Sequence, residues 1–129
     1  MKERYELEGI MNGKIDMLFE CQGKYFILDW KSTFLGDSLQ QYAPAALNNA
    51  MNENNYHLQY LIYTLATKKY LESRLPNFDY EKDFGGVLYL FVRGMRAGTD
   101  SGIFYCKPSL EQVEAVENII LKEKSFQNN

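Results

Sequence analysis

The sequence predicts a mixed α/β domain of the α+β kind: an antiparallel three-strand meander, then helices, a buried strand and a C-terminal helix. Three observations predict it. Short apolar-alternating segments are punctuated by Asn12-Gly13 and Gln22-Gly23; a long helical pattern covers residues 56–74; and an unbroken apolar run, residues 87–92, follows Gly85-Gly86.

Taken in order, residues 5–11 form a short extended segment, and Asn12-Gly13 is the dipeptide favoured in a two-residue hairpin turn. Residues 15–20 follow, then Gln22-Gly23, a weaker turn signal because glutamine resists positive φ, then residues 25–31. Residues 32–43 read as a loop. Pro44 suits the first turn of a helix, where its missing N–H is not needed, and residues 45–52 continue it. The helix over residues 56–74 gains an apolar face from Leu58, Leu61, Ile62, Leu65 and Leu71, and Leu75-Pro76-Asn77 ends it. The run at residues 87–92 reads as a strand buried on both faces. Residues 93–102 are polar and glycine-rich, hence a loop, and residues 103–106 make a last short strand. Ser109 with Gln112 forms a capping box that opens a helix reaching about Lys124. No repeat or linker interrupts residues 1–129, so a single domain is expected.

The totals exclude some functions. A net charge of −3 and a pI near 5.2 argue against a domain that grips DNA tightly on its own, since phosphate contacts call for a basic surface. They leave room for a site that itself collects carboxylates. Cys21 and Cys106 form no CxxC pair and fit free thiols in a reducing compartment. No apolar run approaches the roughly 20 residues of a membrane span, and the N-terminus lacks a secretion signal. A cytoplasmic protein with no membrane partner is the expectation.

The chemistry concentrates in the second hairpin. If Gln22-Gly23 is a two-residue turn, Cys21 pairs with Lys24, Phe19 with Phe26, and Asp16 falls opposite Asp29. Lys31, two residues beyond, shares their face because strand side chains alternate. The other face carries Ile15, Met17, Phe19, Phe26, Leu28 and Trp30, which fixes the register. Two facing carboxylates repel, at a cost of about 3 kcal/mol for a separation of ~5 Å and an effective dielectric near 20. A cation between them would offset that, and oxygen ligands suit Mg²⁺ or Mn²⁺ better than zinc. The same three residues could equally form a solvated ion cluster on an exposed face; Asp-x-Lys alone is a weak signal. On the long helix, Tyr56, Gln59, Tyr63, Ala66 and Tyr70 share a second face. They fit either contacts to a phosphate or base, or rings packed on the sheet. His57, the only histidine, reads as a surface residue and not a ligand.

Read together, these segments resemble a known family. Gly13-Lys14-Ile15-Asp16-Met17-Leu18-Phe19 and Gly23-Lys24-Tyr25-Phe26-Ile27-Leu28-Asp29-Trp30-Lys31-Ser32 resemble the G-x-I-D-L…D-Y-K-S core of RecB-type nucleases of the PD-(D/E)xK superfamily. Gln59 and Tyr63 match the family's Q-x-x-x-Y helix motif. The block from Gly85 to Met95 looks like the G-G-V-x-Y-L-F-x-R-G-M of exodeoxyribonuclease V beta subunits. The resemblance implies a restriction-endonuclease-like core that hydrolyses DNA phosphodiester bonds within a helicase–nuclease for double-strand-break repair. It implies Mg²⁺ held by Asp16, Asp29 and the Trp30 carbonyl, with Mn²⁺ as a substitute. Lys31 would serve the attacking water, and Gln59 and Tyr63 would line the substrate side. DNA and RecC/RecD-like subunits are the implied partners. The family's nuclease domain begins with helices that supply a histidine and a glutamate; here the chain opens at the first strand, so the resemblance implies an activity that depends on that missing part or on partner subunits. The sheet surface left bare would favour self-association. The chain also lacks a G-x-x-x-x-G-K-[ST] phosphate loop, and with it a helicase motor. Two other readings stand beside this one: a non-catalytic remnant that binds DNA or docks a subunit, and another RecB-like nuclease of the Cas type.

Overall fold

The computed structural model describes residues 15–127. The expected strand over residues 5–11 and its Asn12-Gly13 turn lie outside them. Strands β1 (Met17–Cys21) and β2 (Lys24–Lys31) form the expected hairpin, with Cys21 opposite Lys24, Phe19 opposite Phe26 and Met17 opposite Leu28. Both turn residues have positive φ, 53° at Gln22 and 81° at Gly23, which gives the turn the twist that two-residue hairpins need. Glutamine in this conformation is strained by about 1 kcal/mol. Gln22→Asn is therefore expected to stabilise the chain by roughly 0.5–1 kcal/mol in urea unfolding; an unchanged midpoint would mean the turn is relaxed in solution.

The segment after β2 is less irregular than expected. Ser38 and Gln41 form a capping box around a short 3₁₀ turn, Leu39–Tyr42. Helix α1 (Pro44–Glu53) starts with proline in its first turn after an extended Ala43, and left-handed Asn55 separates it from α2 (Tyr56–Arg74). Pro76 forces the preceding Leu75 into an extended conformation and so ends α2. A single-turn helix, α3 (Tyr80–Asp83), capped by Asp79, leads into β3 (Phe84–Phe91). Strand β4 (Ile103–Cys106) and helix α4 (Leu110–Gln127) complete the described chain. The Ser109–Gln112 capping box is present in both directions, at 3.1 and 3.0 Å. Ser109→Ala should cost about 1 kcal/mol, read as a lower thermal midpoint.

The sheet order is β1-β2-β3-β4: β2 and β3 run parallel, and the outer pairs are antiparallel. Parallel neighbours need a crossover, and α1, α2 and α3 supply it. A four-stranded mixed sheet with helices in this order is compatible with a restriction-endonuclease-like α+β fold. Its core joins Ile27, Val87, Tyr89 and Phe91 from the sheet to Leu47, Met51, Leu65 and Val113 from the helices.

Two expectations change here. Helix α2 is not a leucine face opposed by a tyrosine face: every residue from Ile62 to Thr67 is buried, while Leu58 is 50% exposed. Contacts with the sheet, α1 and α4 cover several of its sides, so one stripe cannot describe it. The second face of the hairpin is only partly covered among the described residues, with Met17 42% and Trp30 49% exposed.

Candidate active site

Asp29 lies near the end of β2, on the buried face it shares with Ile27, and is only 3% exposed. Alternation along the strand brings Lys31 to the same face. Its Nζ is 2.6 Å from Asp29 Oδ2, a close ion pair at the buried carboxylate. Asp16 sits one residue before β1, where the hairpin register continues to Asp29. Its Oδ2 accepts a hydrogen bond from the Trp30 backbone N–H at 3.0 Å. The two carboxylates converge rather than pointing to opposite sides of the sheet. Burial raises the Asp29 pKa above the ordinary carboxylate value; Lys31 pulls it down in part, and the Asp16 charge pushes it up again.

Helix α2 lays Gln59 against this group. Gln59 Oε1 accepts from Lys31 Nζ at 3.3 Å and from the Tyr89 hydroxyl at 2.5 Å. The Lys31 ammonium also rests over two rings, 4.2 Å from the centre of Tyr56 and 5.1 Å from that of Tyr89. Tyr89 is fully buried, and burial first, then the Asp29 charge, raises its pKa, so its phenol stays protonated and donates.

The sequence-derived residues thus fall in three positions. Asp16, Asp29, Lys31 and Gln59 come together. Tyr63, one turn along from Gln59, is buried at 6% within the core. The Trp30 side chain is half exposed, and only its backbone belongs to this group. His57 lies outside it but is not a plain surface residue: it is half-buried, with Nδ1 3.1 Å from the Tyr60 hydroxyl and its ring edge-on to Phe104. Cys106, also half-buried, reaches the same Tyr60 hydroxyl at 3.4 Å; both cysteines are free thiols.

No family model matches the chain. Curated relatives do. The chain is 46% identical over 114 residues to the RecBCD enzyme subunit RecB of Haemophilus influenzae, covering 88% of this chain and 9% of that protein. It is 41% identical over 108 residues to RecB of Escherichia coli, covering 83% and 9%. With RecB of Mycobacterium tuberculosis it shares 34% over 122 residues, covering 88% and 11%. The chain is homologous to a segment of these RecB proteins. It spans about a tenth of the length of these RecB proteins.

Within this RecB-like segment, sequence reasoning missed Tyr89 as a site residue. The signal was available: a single hydroxyl-bearing ring inside an otherwise aliphatic and phenylalanine run. What made it a neighbour of the aspartate is the parallel pairing of β2 with β3, which sets Tyr89 opposite Asp29.

Proposed function

We propose that this chain carries the metal-dependent nuclease centre of a RecB-type exodeoxyribonuclease V, hydrolysing DNA phosphodiester bonds in a helicase–nuclease for double-strand-break repair and recombination. The observation that carries the reading is the convergence of Asp16 and the buried Asp29 beside Lys31. The buried Asp29 carboxylate faces the charge of the exposed Asp16, and Lys31 offsets this only in part, so a cation would relieve it further. Among the described residues no group of three or more His, Cys, Asp or Glu is placed to hold a metal ion. Two carboxylates suit Mg²⁺, or Mn²⁺ in its place, because Mg²⁺ keeps several waters rather than a full protein cage. Asp16, Asp29 and the Trp30 carbonyl would hold the ion, which when bound polarises a phosphoryl oxygen and acidifies a water.

The protein groups have separate tasks. Lys31, held by Asp29 and Gln59 over the Tyr56 ring, orients the attacking water or meets the charge that develops on the phosphate. Gln59 belongs to the substrate side of the helix, one turn from the core-buried Tyr63. The relatives named as RecBCD enzyme subunits support RecC/RecD-like partners, and the acidic balance of this chain fits a domain that receives DNA from them instead of capturing it. No described helix is long and apolar enough to cross a membrane; a cytoplasmic location belongs to the same proposal. The half-exposed Met17 and Trp30 offer a surface through which isolated chains would pair. Sedimentation velocity over a concentration series checks this, and a monomer throughout rules it out.

The deciding test is paired. Calorimetric titration with Mg²⁺ and Mn²⁺ should show weak binding that Asp29→Ala abolishes, and linear duplex DNA should be degraded by the wild-type centre, in this chain or in its full-length parent, but not by this variant. Equal metal binding in both proteins refutes the site. Binding without cleavage, both by this chain and by a full-length RecB-type parent assayed beside it, moves the reading to a remnant that docks DNA or a subunit.

A further inference from the structure

We propose that Tyr89 is a positioning residue that acts through Gln59, setting which end of its amide faces the catalytic group; this rests on the nuclease reading above. A lysine ammonium can only donate, and the Tyr89 phenol stays protonated inside the core. Both therefore require an acceptor where they meet, and the atom there is Gln59 Oε1, 2.5 Å from the Tyr89 oxygen and 3.3 Å from Lys31 Nζ. With the oxygen fixed at that end, the two Nε2–H donors occupy the other. No described protein group accepts from them, so they are left for an acceptor brought by a ligand, such as a phosphate oxygen of DNA. Remove the phenol oxygen and only the longer, weaker Lys31 contact orients the amide, which is then free to turn and swing. The register that makes this arrangement is built into the sheet, because parallel pairing aligns Tyr89 with Asp29 and Phe91 with Lys31 on one face.

Tyr89→Phe isolates the effect. It keeps the buried ring, and with it the packing and the surface under Lys31, and deletes only the hydroxyl. The first measurement needs no turnover: a ¹⁵N–¹H correlation spectrum of the labelled chain, with the Gln59 side-chain pair identified as the one missing in Gln59→Ala. In the wild type this pair should stand apart from those of exposed glutamines, and in Tyr89→Phe it should move to join them. A Gln59 pair unmoved by Tyr89→Phe overturns the proposal. The second measurement is a double-mutant cycle on linear DNA with Mg²⁺. Tyr89→Phe should lower kcat/KM about tenfold, the size of one net hydrogen bond, and Gln59→Ala by at least as much. The double variant should fall no further than Gln59→Ala alone. Losses that multiply would show that Tyr89 does not act through Gln59. A wild type inert both as this chain and in its full-length parent, or an Asp29→Ala variant as active as the wild type, sinks the nuclease reading, and the spectrum still decides the role of Tyr89.

Discussion

Asp29→Asn should abolish divalent-ion binding and DNA cleavage while making the metal-free chain more stable. The physical reason is the balance at the buried carboxylate. Taking Asp29 out of water disfavours its charge, the Asp16 carboxylate disfavours it further, and Lys31 compensates only in part, so its folded pKa lies above the ordinary 3.8. Folding therefore favours the protonated form. The stability this contributes is complete below the unfolded value near 3.8 and is lost as pH rises through the raised folded value. At neutral pH the ionised group is a net burden unless a cation relieves it.

Asparagine copies the neutral carboxyl and removes that burden. The opposing effect is the loss of the Lys31 partner, but the ammonium is 14% exposed and keeps Gln59 and the Tyr56 ring. In chelator at pH 7 the variant should melt about 2–4 °C above the wild type, the scale of a change below 1 kcal/mol in a domain of this size. The gap should close as pH falls toward 4, where the wild type protonates. Added Mg²⁺ should raise the wild-type midpoint and leave the variant where it is. A variant that melts lower than the wild type in chelator would show that the Asp29–Lys31 pair outweighs desolvation and repulsion.

The hairpin and the placement of its charged residues were legible because they depend on local rules. A two-residue turn and strict side-chain alternation place Asp16, Asp29 and Lys31 on one face, and the structure shows that register. The limits of α2 were legible too, since Pro76 must end a helix at an extended residue and asparagines tolerate the break before Tyr56. Other features depend on contacts distant in sequence. Nothing near Leu58 says that it is exposed while Tyr60, two residues on, is buried; that follows from where the sheet, α1 and α4 meet the helix. The single turn of α3 was missed for a different reason. Four residues have no periodicity to read, and its one mark is the side chain of Asp79 accepting from Lys82 N–H at 3.1 Å. Tyr89 belongs with Leu58: only the pairing of β2 with β3 makes it a partner of the site.

Gly94→Ala is the substitution expected to damage the fold most. A methyl group at residue 94 would lie 2.0 Å from Cγ and 2.3 Å from Cδ1 of the Tyr42 ring. The ring is poorly placed to retreat. Tyr42 is 3% exposed, its hydroxyl accepts from the Leu35 N–H at 2.9 Å, and its carbonyl accepts from the Gly102 N–H at 2.8 Å. Yielding would break one of these anchors or shift the backbone of residues 92–94, where Arg93 Nε donates to the Ser32 carbonyl at 2.6 Å. Either way the cost is about 2–4 kcal/mol, at the upper end for overpacking because the obstacle is a fixed ring and not a flexible chain end. Urea unfolding should show a midpoint lowered by about 1–2 M, taking ~2 kcal/mol per M as the slope for a small domain. Tyr42→Leu clears the ring, so combining it with Gly94→Ala should cost less than the sum of the two single changes. Because Ser32 and Leu35 lie one and four residues after Lys31, loss of these anchors also frees the segment that holds the lysine end of the site. A Gly94→Ala chain with the wild-type midpoint would mean that Tyr42 is not held as these contacts require.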